Sequence, residues 1–273
     1  MLSRSTIFGK AGIIRGMFLQ LLQFSPAIAV VWILAIILSL TVHEFSHALV
    51  GKWKGDKTAE REGRLTLNPL SHLDPMGFFA LLFLGFGWAK PVPFNPYNLK
   101  NPKWDAVVIA LAGPAANLLM AAVAALILRF SLPTIIVSGF TLLHTFLLLT
   151  VIINLFLLFF NVLPIHPLDG SKLVTALLDS PKHVQLRQFI MTRGSQILTI
   201  LVIVSVLTNI DVFGFLSTPA FGLCSTMVGI SCPGLFGVVF GSLGSSAPTS
   251  PHHSMIQYGI ALWMGAVSVW SLS

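Results

Sequence analysis

The chain has 273 residues, of which 55% are hydrophobic and 9% are charged, and its formal net charge is +7. Soluble domains carry about 25% charged residues, so this composition excludes an ordinary soluble protein and indicates a chain that lies mostly in lipid. The basic residues form short clusters between apolar stretches, which suits membrane topology and lipid headgroups and argues against a nucleic-acid partner. With two cysteines, Cys224 and Cys232, the sequence predicts neither a disulfide scaffold nor a thiolate metal site.

The first apolar stretch runs from Pro26 to about Val50 and is long enough to cross a bilayer. The next one, Met76–Ala89, is short, rich in Gly and Phe, and has basic residues on both sides. If it crossed the membrane, one basic loop would lie outside, so we expect it to re-enter. Further spans are predicted at Ala106 to about Phe130, Phe140 to about Val162 and Ser195 to about Ile210. An uncharged external loop is expected between the second and third of these four spans, at Ser131–Gly139.

The two ends of the chain differ from this middle part. Basic residues before Pro26 do not fit an external location, so residues 1–25 are expected to form an interfacial helix or a partial span that is not cleaved. The tail from Phe213 is rich in Gly and Ser and has two weak candidate spans, the second at Met255–Trp270. The predicted organisation is an N-terminal segment 1–25, a core 26–212 and a tail 213–273. The predicted fold is an all-α membrane protein, a polytopic helical bundle with a re-entrant segment and an intramembrane metal site.

A metal-binding pattern stands near the end of the first span, His43-Glu44-Phe45-Ser46-His47. Positions i and i+4 share one face of a helix, so both imidazoles can reach one ion while Glu44 contacts a metal-bound water. A chance match to so short a motif is the alternative. Ionisable groups inside a membrane are costly and functional by default, and three of them in five residues favour a metal site.

A catalytic zinc needs a third protein ligand and one open position. The best candidate is Asp169, which follows two prolines after the inward span and returns to the depth of His47. Asp169 could equally be the N-cap of a helix that begins just after it. Spacing alone does not decide between these readings.

Five ordered motifs between about residues 26 and 210 resemble the site-2 protease family of intramembrane zinc metalloproteases (peptidase family M50), in its compact prokaryotic branch. The motifs are HEFSH at His43–His47, GRLTLNPLSHLDPMG at Gly63–Gly77, GWAKPVP at Gly87–Pro93, AGPAAN at Ala112–Asn117 and NVLPIHPLDG at Asn161–Gly170.

The resemblance implies one Zn²⁺ per chain, bound by His43, His47 and Asp169. It implies Glu44 as the catalytic acid and base, and it suggests that Asn161 approaches the reacting carbonyl. It also implies hydrolysis of peptide bonds in transmembrane segments of membrane-protein substrates, usually as a step of regulated intramembrane proteolysis. The expected location is a prokaryotic cell membrane, with the site toward the cytoplasmic side and the lipid bilayer around it.

Two features depart from the family pattern. His166 stands where the family usually has proline, and it is read as a loop histidine at the membrane edge or as a competing metal ligand. The tail from about residue 213 matches no family motif. The alternatives to a protease are a non-catalytic homologue that binds membrane segments and an ion or metal transporter, which would show repeated halves or paired broken helices. The sequence specifies no oligomeric state.

Overall fold

The computed structural model describes residues 21–23, 25–84, 87–208 and 212–240. Within these ranges the chain forms nine α-helices, and its only strand-like pairing is one isolated bridge between Leu73 and Ala89. The helices are α1 Pro26–Trp53, α2 Thr58–Arg61, α3 Pro75–Leu84, α4 Pro102–Ser138, α5 Leu142–Asn161, α6 Gly170–Leu177, α7 Val184–Thr208, α8 Ser217–Val228 and α9 Cys232–Phe240. The predicted all-α class is confirmed.

In the described part of the chain, 4 helical segments are long and apolar enough to cross a membrane. They are Pro26–Trp53, Pro102–Ser138, Leu142–Asn161 and Pro181–Ser205. The helices α8 and α9 meet at a bend of 97° and together could form a fifth, broken span. The protein is therefore a multi-pass membrane protein.

Helix α5 lies at the centre of the bundle, with most of its side chains buried between α1, α4 and α8. Helices α1 and α4 pack against it and against each other, and both bury small residues such as Ala35, Ala121 and Ala125, which let helix backbones approach closely. Their opposite faces carry exposed apolar side chains suited to lipid. These include Val30, Leu34, Leu119 and Val123.

The short apolar stretch turns back on itself, as expected for a re-entrant segment. Leu73 pairs with Ala89, and the Lys90 amide donates to the His72 carbonyl at 2.8 Å, so the two ends of the stretch lie side by side. A Cβ added at Gly77 would lie 2.2 Å from the Trp88 carbonyl oxygen, which shows how closely the two limbs approach. A segment whose ends meet does not carry the chain from one side of the bundle to the other.

Two predicted boundaries are wrong. The expected external loop Ser131–Gly139 is helical as far as Ser138, because α4 continues through Pro133; prolines are tolerated in membrane helices when neighbouring groups satisfy the freed backbone. The span predicted to begin at Ser195 is the second half of a helix that begins at Val184. The first half of this helix carries Arg187 and Arg193.

The structure adds one disulfide that the sequence did not predict, because Cys224 and Cys232 are bonded across the turn between α8 and α9. They are eight positions apart along the chain, and the bend brings their Cα atoms to 6.0 Å, a normal separation for a disulfide. Part of the tail thus packs on the core, with Phe213 against Phe160 and Phe221 against Phe156. The N-terminal segment up to residue 20 and the second tail span at Met255–Trp270 lie outside the described residues.

Candidate metal centre

Helices α1 and α4 run antiparallel, and their crossing point holds the polar motif. His43, Glu44 and His47 are all buried near the end of α1. His47 lies six residues before Trp53, the last residue of the helix, which places it about 9 Å from that end. Polar groups at this depth need partners within the bundle.

The two imidazoles and Asp169 point their ligand atoms at one another. His43 Nε2 lies 3.0 Å from His47 Nε2, and Asp169 Oδ2 lies 3.3 Å and 3.4 Å from these two nitrogens. Two ligand atoms of a tetrahedral zinc, each about 2.0–2.1 Å from the ion, lie about 3.3 Å apart. Among the described residues, these three form the one cluster of His, Cys, Asp or Glu ligand atoms compact enough to hold an ion.

Asp169 occupies the N-cap position of α6, but its side chain makes no capping hydrogen bond. Its Oδ2 atom is buried and has no hydrogen-bond partner, an arrangement that is costly unless something else satisfies the oxygen. Burial alone would raise the pKa of Asp169, but the two imidazoles outweigh it and hold that pKa below its usual range. The Oδ2 atom is therefore directed at the two nitrogens without a hydrogen bond to satisfy it.

The outer nitrogens of both imidazoles have fixed partners on α4. His47 Nδ1 donates to the Ile109 carbonyl at 2.7 Å, and His43 Nδ1 donates to Asn117 Oδ1 at 2.9 Å. Each bond holds the proton on Nδ1 and leaves Nε2 with a free lone pair in the neutral imidazole. Metal-binding histidines are characteristically oriented in this way.

Gly113 lies between these two contacts and faces the imidazoles. A Cβ at this position would lie 2.5 Å from His47 Nε2 and 2.6 Å from His43 Nε2. Even the smallest side chain would thus occupy the space in front of the ligand atoms. The sequence showed the small residues of this motif, but the contact depends on how α4 is rotated against α1.

Glu44 lies next to the cluster and is tied to the chain segment after the re-entrant hairpin. Its Oε2 accepts a hydrogen bond from the Val92 amide at 3.2 Å. The buried guanidinium of Arg64, which donates to the Lys90 carbonyl, is close enough to be stabilised electrostatically by Glu44. The segment Lys90–Asn95 therefore lies beside Glu44; we call it the strap.

The cluster fits zinc by its chemistry as well as by its distances. Two neutral imidazole nitrogens and one carboxylate are a common ligand set of catalytic zinc sites, which keep a further position open. The Oδ2 atom of Asp169 has no hydrogen-bond partner and is thus free to bind an ion. The Nδ1 partners on α4 direct the two Nε2 atoms to the same point.

Two further residues of the NVLPIHPLDG motif, Asn161 and His166, do not belong to the ligand cluster. Asn161 is buried at the end of α5, and its Nδ2 donates to the Leu157 carbonyl at 3.0 Å, so its suggested approach to a substrate carbonyl stays a prediction. His166 is half-buried in the loop before α6 and is not part of the ligand cluster. Burial, and to a lesser degree the charge of Lys172, lowers the pKa of His166.

Three other polar side chains have structural partners. His72 Nε2 donates to the Thr66 carbonyl at 2.8 Å, and Asp74 accepts from the Gly77 amide at 2.8 Å at the start of the re-entrant hairpin. His144 is buried at the start of α5, where it forms a capping box with Thr141. His72 and Asp74 thus fix the turn at the start of the hairpin, and His144 is a hydrogen-bonded interior histidine.

Comparison with known proteins gives one family and two relatives. The model of peptidase family M50 matches residues 31–142 and 133–205. "Putative zinc metalloprotease YwhC" of Bacillus subtilis (strain 168) is 41% identical over 145 residues, which cover 52% of this chain and 66% of that protein. "Putative zinc metalloprotease Rip2" of Mycolicibacterium smegmatis is 37% identical over 90 residues, 31% of this chain and 34% of that protein. The chain thus spans less than two thirds of either relative's length. No solved structure gives a significant match.

Proposed function

The chain belongs to peptidase family M50, and from this membership we propose that it is an intramembrane zinc metalloprotease that cleaves peptide bonds in or near transmembrane segments of membrane proteins. We further propose that this cleavage is a step of regulated intramembrane proteolysis. The observation that carries the proposal is the cluster of His43, His47 and Asp169, with Glu44 beside it, enclosed by apolar helices. Both bacterial relatives are named zinc metalloproteases.

In this proposal His43 Nε2, His47 Nε2 and Asp169 Oδ2 hold one Zn²⁺. When bound, zinc supplies a Lewis acid that acidifies water and stabilises negative charge on a carbonyl oxygen. Ile109 and Asn117 hold the two imidazoles in orientation through their Nδ1 protons. Gly113 leaves the space in front of the cluster free.

Glu44 is the proposed general base and acid. Its carboxylate takes a proton from the attacking water and returns it to the leaving amine nitrogen. The Val92 amide holds one of its oxygens and thereby limits how the carboxylate can rotate. The amide of Asn161 is proposed to donate to the substrate carbonyl oxygen; this requires its side chain to rotate away from the Leu157 carbonyl.

The substrate is proposed to be a membrane-spanning segment, and the lipid bilayer is the other partner. A helical substrate hides its carbonyls in its own hydrogen bonds, so it must unwind locally, and Gly or Pro near the cleaved bond would favour this. The loop after α1 is rich in basic residues and lies at the end of the bundle that holds the cluster. By the positive-inside rule, we propose that the cluster faces the cytoplasm of a prokaryotic cell.

Zinc content and cleavage, measured together, test the proposal. We expect about one zinc per chain in the purified protein and a large loss of zinc in Asp169→Ala. Glu44→Gln should keep its zinc but lose about 10²- to 10⁴-fold in the rate of cleavage of a single-span membrane substrate. The matched control is Glu60→Gln, a change of an exposed glutamate on α2. Full cleavage by Glu44→Gln, or full zinc content in Asp169→Ala, would overturn the assignment.

A further inference from the structure

Lys172 lies one helical turn after the ligand-cluster residue Asp169. Its amide donates to the Asp169 carbonyl at 3.0 Å and so closes the first turn of α6. Residues three apart share one helix face, which places the Lys172 side chain on the side of α6 that carries Asp169. Its ammonium lies 5.4 Å from the ring centre of Phe94, a residue of the strap. Lys172 therefore lies between α6 and the strap, at the same end of the bundle as Glu44.

The ammonium of Lys172 has no carboxylate partner within salt-bridge distance among the described residues. Burial lowers the pKa of Lys172, and the more distant charge of Asp169 opposes this effect only in part. Asp169 is already directed at two imidazoles. The contact with Phe94 is a cation–π contact, which supplies no hydrogen-bond acceptor and no counter-charge.

Two other half-buried lysines of the described chain are paired with carboxylates of the protein. Lys52 pairs with Glu60 at 2.6 Å, and Lys54 pairs with Asp105 at 2.9 Å. Both lysines lie at the C-terminal end of α1. The charge of each ammonium is balanced by a carboxylate of the protein. Lys172 is likewise half-buried, follows the cluster residue Asp169 by three positions, and has no such partner in the part of the chain that the structure describes. A half-buried cation beside a reaction site is suited to an anion that arrives from outside the protein.

We propose that the Lys172 ammonium binds a carboxylate of the substrate or product chain close to the cleaved bond. The inference rests on the proposed function, since it names a feature of the substrate for the same site. Two sources offer this chemistry. One is the side chain of an Asp or Glu near the cleaved bond, and the other is the new C-terminal carboxylate that hydrolysis produces.

The test uses single-span peptides in detergent micelles, in which one Glu is moved through successive positions around a common central sequence, with Gln peptides as partners. Binding is measured by fluorescence anisotropy on zinc-loaded Glu44→Gln protein, so that cleavage does not interfere, and cleavage is measured separately on protein with Glu44 intact. Each measurement is made with Lys172, Lys172→Met, Lys172→Arg and Lys172→Glu. Lys182→Met, at an exposed position outside the site, is the matched control. Truncated peptides that end in a C-terminal carboxylate or in a C-terminal amide test whether Lys172 binds the carboxylate that hydrolysis produces.

With Lys172 present, we expect a Glu peptide to bind about tenfold more tightly than its Gln partner at one position, or an acid-terminated product about tenfold more tightly than its amide. The preference should disappear in Lys172→Met, persist in Lys172→Arg and Lys182→Met, and reverse in favour of the Gln peptide in Lys172→Glu. A purely structural role would weaken all peptides equally.

The results separate the inference from the proposed function. Equal binding of Glu and Gln peptides and of acid and amide products, alongside normal cleavage, would overturn the role of Lys172 and leave the protease standing. A Lys172-dependent preference in a protein that cleaves none of the peptides would support the carboxylate site and count against the protease.

Discussion

His43 Nδ1 lies 2.9 Å from Asn117 Oδ1, across the interface between α1 and α4. Both side chains are buried, so no water competes for this bond. The contact joins the HEFSH motif to the AGPAAN motif through two residues that stand 74 positions apart in the chain. It assigns to Asn117 the role of bonding across the two helices to the His43 imidazole.

Replacing Asn117 by Ala should weaken zinc binding by about 10- to 100-fold, because the His43 imidazole loses the acceptor that orients it. Competition with a fluorescent chelator measures the affinity. Asn117→Asp keeps an acceptor and should retain more zinc than Asn117→Ala. Asn154 is a matched control, since this buried asparagine bonds to Ser39 at 2.8 Å, away from the cluster. If Asn154→Ala lost as much zinc as Asn117→Ala, the effect would be one of general stability.

Gly113→Ala should abolish zinc binding while the helices stay folded. The added methyl would lie within 2.6 Å of both Nε2 atoms, and moving α4 away would cost about 1–3 kcal/mol and separate the imidazoles from their Nδ1 partners. Circular dichroism and zinc content, measured on the same sample, distinguish these effects. Gly222→Ala is the comparison, because no neighbouring atom lies within 4 Å of a Cβ there. Normal zinc content in Gly113→Ala would show that α4 does not approach the cluster this closely.

Asp56 should control the stability of the loop after α1 in a pH-dependent way. It is buried and accepts hydrogen bonds from Thr58, Asn98 and the Asn95 amide. Burial opposes these bonds, but their sum lowers the pKa of Asp56. Because the folded-state pKa lies below the unfolded value of about 3.9, the stabilisation is complete above that pH and is lost as the pH falls through the lower, folded-state value.

Asp56→Asn should therefore lower the free energy of unfolding by about 1–3 kcal/mol near neutral pH, since one oxygen replaces two as acceptor. Thermal unfolding in detergent at several pH values gives the measurement. The gap in Tm between the original protein and Asp56→Asn should narrow only in strongly acidic buffer. A gap that closed already near pH 6 would mean that another group is responsible.

The disulfide predicts the orientation of the protein. Gly229, in the turn that the disulfide joins, lies against Arg129 of α4, and Arg129 is 16 residues, or about 24 Å of helix, beyond Gly113. The disulfide and the ligand cluster thus lie in opposite halves of the bundle. Because disulfides persist in oxidising compartments, we expect a membrane-impermeant phosphine added outside intact cells to reduce Cys224–Cys232. A bond that resists this reagent but forms in the cell would argue against a cytoplasmic cluster.

The sequence predicts much of this arrangement because its chemistry is rare in lipid. His43, His47 and Asp169 stand out as ionisable groups in or next to apolar stretches, and the structure brings them together. The re-entrant hairpin follows from its short length and its flanking charges. Both kinds of signal are local, so they can be read without knowing how the helices pack.

Features that depend on packing could not be predicted in the same way. Gly113 and Asn117 acquire their contacts only when α4 is rotated toward α1, and no spacing within either motif records that rotation. Cys224 and Cys232 meet because the chain bends between α8 and α9. The helix start at Val184 was missed because Arg187 and Arg193 precede the apolar stretch, and charge at a membrane edge fits a loop and the end of a long helix equally well.

Ile109, Gly113 and Asn117 stand at four-residue intervals on α4, opposite His47 and His43 on the antiparallel α1. One face of α4 therefore contacts both imidazoles. Deleting or inserting a single residue between Ile109 and Asn117 would rotate the remainder of the helix by about 100° and turn one partner toward lipid. In evolution, many substitutions on the outer face of Ile109–Asn117 are compatible with the site. An insertion or deletion of one residue within this segment is not.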